Sequence, residues 1–110
     1  MSSFKPFRPR HRIALEKAIT ETDTAGGRGS TWREDQTVWA EFVGLSSDEV
    51  FQGQQERNRV TAKCRIRFRE GMTATGYRVT FKGRTFNIDS LYDPDESRKY
   101  WYMRLVEIKA

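Results

Sequence analysis

Between Arg59 and Arg69 the chain alternates with a period of two: Val60, Ala62, Cys64, Ile66 and Phe68 are interleaved with Arg59, Thr61, Lys63, Arg65, Arg67 and Arg69. Successive side chains of a strand point to opposite faces, so this segment predicts a strand with one apolar face and one basic face. Tyr77, Val79 and Phe81 alternate before Lys82 and Gly83, and Phe86 and Ile88 after them, which predicts a hairpin turning at Lys82 and Gly83. Thr37 to Val43 reads TVWAEFV, β-branched and aromatic with one charge, a strand buried on at least one face. Asp93, Pro94, Asp95 and Glu96 supply a turn, and YWYMRLVEI from Tyr100 to Ile108 a last strand.

Other segments are less decided. Ile13, Leu15 and Ile19 alternate with polar or small residues, yet Ala14, Glu16, Lys17 and Ala18 are good helix formers, so periodicity leaves residues 12–19 open between strand and helix. Thr20 to Thr31, with Asp23, Gly26, Gly27, Gly29 and Ser30 and almost nothing apolar, predicts a mobile loop or a long hairpin connection. Ser46 and Glu49 stand at capping-box spacing, and Val50 and Phe51 could anchor a short helix to about Arg57, weakened by Gly53. Pro6 and Pro9 keep the basic start extended. The expected architecture is mainly β: a small antiparallel barrel or sandwich of four or five strands, with a short helix and long loops. Residues 1–11 form a basic N-terminal arm and residues 12–110 one domain.

Composition narrows the function classes. With 36% of 110 residues hydrophobic, a small core is available and a wholly disordered chain is excluded. No apolar run approaches the roughly 20 residues of a membrane span. The start MSSFKPFRPRHRI lacks the apolar stretch of a secretory signal, so a chain made in a cytoplasm and without a membrane partner is expected. One cysteine, Cys64, and one histidine, His11, leave no ligand set for structural zinc, haem or an iron–sulfur cluster, and no cofactor is expected. The net charge of +5 and pI of about 9.7 suit a polyanionic partner, but charge alone names no function.

Candidate chemistry is sparse. His11 has no sequence-identifiable partner and reads as a solvated side chain in the arm; Asp93, Asp95 and Glu96 lack the further ligands of a calcium loop and suit a turn. Gly26, Gly27, Arg28 and Gly29 are not followed by the lysine and hydroxyl residue of a phosphate loop. No constellation of an enzyme is present. The basic face is the feature with consequences: Arg59, Lys63, Arg65, Arg67 and Arg69 lie on one side of one strand, spaced to track phosphates. The same residues could instead pair with Asp89, Glu41 or Glu107, or with another subunit. Tyr100, Trp101 and Tyr102 could stack on bases, although at least one must face the core.

Taken in order, PRHRIAL (residues 9–15), a Gly-rich loop before Trp32, TVWAEFVGLSSDEVFQGQQ (37–55), VTAKCRIRFREGM (60–72) and YRVTFKGRTFNIDSLYDPDESRKYWYM (77–103) resemble the phage head–tail joining, or head-closure, family. The resemblance spans about residues 9–108. It implies a structural β-barrel protein, not an enzyme, of tailed phages and gene transfer particles. Such a protein forms a homo-oligomeric ring, a hexamer or dodecamer, in the neck of the particle, assembled in the bacterial host cytoplasm. A portal and adaptor ring would lie above it, a tail terminator and tail tube below, and packaged double-stranded DNA in its channel, which the ring closes. On that reading the basic face Arg59, Lys63, Arg65, Arg67 and Arg69 is a DNA-channel or inter-subunit surface. Phe4, Phe7, Arg8 and Arg10 are candidate inter-ring contacts, and Gly26, Gly27, Arg28, Gly29, Asp48, Glu49 and Phe51 lie in candidate gating or docking loops. The competing expectation is a free-standing OB- or SH3-like barrel that binds single-stranded nucleic acid.

Overall fold

The computed structural model describes residues 6–22, 28–45 and 60–108. Six strands make up the described chain: β1 (His11–Thr22), β2 (Arg28–Gly44), β3 (Ala62–Arg67), β4 (Tyr77–Phe81), β5 (Arg84–Tyr92) and β6 (Tyr100–Ile108). They close into a barrel in the order β1-β2-β3-β6-β5-β4, every neighbouring pair antiparallel. Of the two expected architectures, closure of β1 on β4 selects the barrel, and it uses six strands rather than four or five. The helix expected from Ser46 to about Arg57 lies outside the described residues.

The inward positions of the alternating segments form the core. Ile13 and Leu15 of β1, Cys64 and Ile66 of β3, Val79 of β4, Phe86 of β5 and Met103 and Leu105 of β6 are buried together. Phe86 is wholly enclosed, and Phe42 of β2 packs edge-on to it with ring centroids 5.3 Å apart. Burying one such ring stabilises the fold by about 1.5–3 kcal/mol. Cys64 shares this interior, and burial pushes its thiol up to about 12, which leaves it unreactive.

Residues 12–19, open between strand and helix by periodicity, belong to a strand because both edges of β1 find partners: β2 along its whole length and β4 over residues 14–17. Of the two expectations for Thr20 to Thr31, a mobile loop or a long hairpin connection, the pairing of residues 20–22 with 28–30 agrees with the second. β1 runs to Thr22 and β2 starts at Arg28, their backbones paired as a hairpin ribbon that carries few apolar residues. A ladder needs only backbone groups, so such a ribbon can form without a buried face. On the other side, β2 pairs with β3 only over residues 40–44.

Two register shifts re-aim acidic residues. Leu15 faces Gln36 while Glu16 faces Glu34, leaving Asp35 as an extra residue in β2. Ile88 faces Leu105 while Ser90 faces Arg104, leaving Asp89 as an extra residue in β5. The hairpin turn falls at Lys82 and Gly83, with φ of 52° and 78°. This double left-handed turn matches the twist of paired strands.

Candidate functional site: the wall beneath the N-terminal strap

The outer faces of β2, β3 and β6 form one wall, whose rows follow from register. Glu41 lies opposite Arg65 and Arg65 opposite Tyr102; one row along, Val43 lies opposite Lys63 and Lys63 opposite Arg104. Residues 6–10 cross this wall as an extended strap that joins the ladder where the Arg10 N–H donates to the Ala40 carbonyl at 3.1 Å.

Arg65 is the centre of the wall. Although it belongs to the outward face of β3, it is only 7% exposed. Its Nε donates to Glu41 Oε1 at 2.6 Å, its Nη1 to the Tyr102 hydroxyl at 3.2 Å and its Nη2 to the Pro6 carbonyl at 3.1 Å. Its Cζ lies 5.3 Å from the centroid of Phe7, 5.1 Å from Tyr100 and 5.5 Å from Tyr102. The other oxygen of Glu41 accepts from the Arg8 N–H at 2.6 Å, and Phe7 packs on Tyr100 with centroids 4.9 Å apart. The Arg65 hydrogen bond holds the Glu41 carboxyl below its ordinary value, and the same bond raises the Arg65 guanidinium. Both groups are therefore charged at neutral pH. A buried guanidinium needs such compensation, because an unpaired one costs several kcal/mol.

The five basic-face candidates thus divide. Arg65 is committed to Glu41 and the strap, the internal pairing that the sequence left as one of two readings. Arg69 donates to Asp35 at 2.9 Å, so the bulge in β2 supplies its counter-charge. Lys63 and Arg67 are exposed, and Arg67 sits 5.3 Å from the Phe7 ring; neither has an ion pair among the described residues. Arg59 lies outside the described residues. Of the other acidic candidates, Glu107 pairs with Arg84 across the β5–β6 ladder, and Asp89 sits on β5, which does not adjoin β3.

The strap candidates Phe7, Arg8 and Arg10 lie on the wall, while Phe4 lies outside the described residues, as do Gly26, Gly27, Asp48, Glu49 and Phe51. Arg28 and Gly29 open β2. His11 differs from its expected place: it is the first residue of β1, half-buried, with its ring edge-on to Phe81 at 5.3 Å. The Asp93 carbonyl accepts from the Glu96 N–H at 3.0 Å and its carboxylate from the Arg98 N–H at 2.8 Å, so Asp93 closes its own loop. Trp101 is the member of the aromatic triplet that packs toward the core, its Nε1 donating to the Arg69 carbonyl at 2.7 Å. Three partners were missed from sequence: Asp35, Arg104 and Arg12. Arg12 lies 5.0 Å from the centroid of the exposed Trp39. Alternation on β1 and β6 was the signal that could have put Arg12 and Arg104 on the outer face.

The profile of the phage head completion proteins matches residues 4–108. This chain belongs to the phage head completion protein family. No curated protein matches it. Among solved structures, this head completion protein is similar to the solution structure of a protein from Shigella flexneri 2a, with 28% identity and a TM-score of 0.75 over 94% of this chain and 96% of that one. It is also similar to a chain in the virion of a native gene transfer agent particle, with 23% identity and a TM-score of 0.65 over 96% of this chain and 100% of that one. The second likeness concerns the fold. The family is one of structural virion components.

Proposed function

We propose that this head completion protein assembles as a homo-oligomeric ring, a hexamer or dodecamer, between the portal and adaptor above and the tail terminator and tail tube below. The ring closes the DNA exit channel after packaging and offers the surface on which the tail docks, in the neck of a phage or phage-like particle assembled in the host cytoplasm. Membership of the family over residues 4–108 carries this reading. The barrel supplies a rigid body, and the strap and the β1–β2 ribbon supply the parts that reach neighbours. Packaged double-stranded DNA attracts cations without base readout. Lys63, Arg67 and Arg104 are the exposed residues of this wall that suit it. Lys63 and Arg104 lie directly opposite each other, and like charges so placed repel. An anion between them would relieve that repulsion.

The free-standing single-strand-binding reading has less support, since Tyr100 and Tyr102 already contact Arg65, Phe7 and Tyr92. Electron microscopy of a lysate lacking this gene tests the proposal. Heads that package but leak DNA, beside free complete tails, are the expected result. Normally filled, tailed particles would overturn it.

A further inference from the structure

We propose that the free edge of β2 at residues 36–39 takes on an added strand, an extended acidic segment supplied by a neighbouring protein of the neck. The source of that segment rests on the ring reading above, its chemistry on the edge itself.

The edge is open. β2 pairs with β1 from Arg28 to Ala40, but with β3 only over residues 40–44. Among the described residues, no strand lies along the other side of residues 28–39. A row of unpaired N–H and C=O groups is a template for another chain. Part of this edge is guarded by Arg33, Glu34 and Asp35, the last an extra residue at the bulge. Residues 36–39 read Gln-Thr-Val-Trp. They carry no charge, and two are β-branched and one aromatic, the types that strands favour.

The edge borders a cleft. An opening of about 320 Å³ is lined by all four of these residues together with Phe7, Arg67 and Arg69. Successive side chains of a strand point to opposite faces, so an opening that touches four consecutive residues lies along the strand's edge and not over one face. Gln36, Thr37 and Trp39 are exposed beside it.

The cleft is cationic, and its charge chooses the occupant. Arg67 is exposed, and Arg12 flanks the Trp39 ring. Arg69 gives its Nη2 to Asp35, while its Nη1 is enclosed without a hydrogen-bond partner. The Arg69 side chain is only partly buried, so an acceptor entering the cleft can draw that donor out. A strand with carboxylates on one face meets these guanidiniums. A second copy joined edge to edge would instead bring the same cations together. Nucleic acid would satisfy the cations, but it lacks the alternating donors and acceptors that complete a backbone ladder.

The test uses the full chain labelled with nitrogen-15 and a short, end-blocked peptide of alternating glutamate and valine. In an NMR titration the amide signals of residues 36–39 should move most and saturate. In an added strand only alternate amides face the partner. Methylating the backbone nitrogens of one residue type in the peptide should therefore weaken binding about tenfold, and methylating those of the other should leave it unchanged. Equal effects of the two would overturn strand addition. Replacing the glutamates by lysines should abolish binding, and Arg67→Gln should weaken it about threefold; indifference to both would overturn the acidic occupant. The proposal also fails if residues 36–39 do not respond, if their signals move with protein concentration in the absence of peptide, or if a short DNA duplex moves the same amides and displaces the peptide. In particles, benzoylphenylalanine in place of Thr37 should cross-link to an acidic segment of another neck protein; cross-links to copies of this chain alone would overturn it. Peptide binding at the edge by a chain that is absent from particles would sink the neck reading and uphold strand addition.

Discussion

In the β4–β5 hairpin the paired residues lie close in sequence and meet through a two-residue turn. On the wall beneath the strap, the bonds of Arg65 reach residues 24, 37 and 59 positions away. The hairpin is fixed by local backbone chemistry. The wall is fixed by one side chain that joins β2, β6 and the strap. A local device can fail without disturbing its surroundings, whereas the failure of Arg65 leaves Glu41 without its main partner and the strap without its anchor.

The largest effect should therefore come from Arg65→Ala. Leaving the Glu41 carboxylate partly buried and half-satisfied costs about 2–3 kcal/mol. Arg67→Ala, one row along on the same face, should change stability by less than about 0.5 kcal/mol. Urea unfolding of the two variants measures the contrast, and equal midpoints would refute it.

These two arginines also mark where sequence reasoning stops. Alternation placed both on the outer face of a strand, and nothing in their immediate neighbours separates them. What separates them is register: Glu41 stands opposite Arg65 because β2 pairs with β3 over residues 40–44. The last strand and the Lys82–Gly83 turn were legible because they depend on period and turn residues. The pairing of residues 20–22 with 28–30 was legible only as one of two readings of Thr20 to Thr31, because its order comes from ladder bonds and its composition is that of a loop. The bulges at Asp35 and Asp89 were hidden, since an extra residue is defined only against a partner strand.

Gly83→Val tests the local device. Gly83 holds φ of 78°, and a β-branched residue there should cost about 1–2 kcal/mol. Gly83→Asn should cost far less, because asparagine tolerates this region. Melting temperatures of both variants, with the Phe7–Tyr100 ring contact unchanged by NMR, would show the two regions to be independent.

Acid should act on the wall and spare the hairpin turn. The Glu41 carboxyl, held below its ordinary value of 4.5 by Arg65, contributes stability that is fully present above that value and lost as pH falls through the lower folded one. Ring-proton NMR signals of Phe7 and Tyr100 should therefore move apart from their folded positions on acidification. Glu41→Gln should remove that step and leave the strap loosened at neutral pH.

The smallest expected effect is a gain. Lys63→Glu turns the repulsive pair with Arg104 into an attractive one and should stabilise the barrel by about 0.5 kcal/mol. The same change should weaken binding to duplex DNA and flatten its salt dependence. Stabilisation without any change in DNA binding would separate this cation pair from the proposed channel surface.

Closure of β1 on β4 also governs how the molecule opens in time. A sheet without a terminal strand has nothing to peel, so the core amides of β3, β4 and β6 exchange with solvent hydrogen only when the whole barrel unfolds. The ribbon obeys another clock. Residues 28–39 of β2 pair with β1 but not with β3, so their amides should exchange by local opening, ahead of those of the core. Hydrogen exchange should therefore divide one chain into a slow element and a faster one side by side.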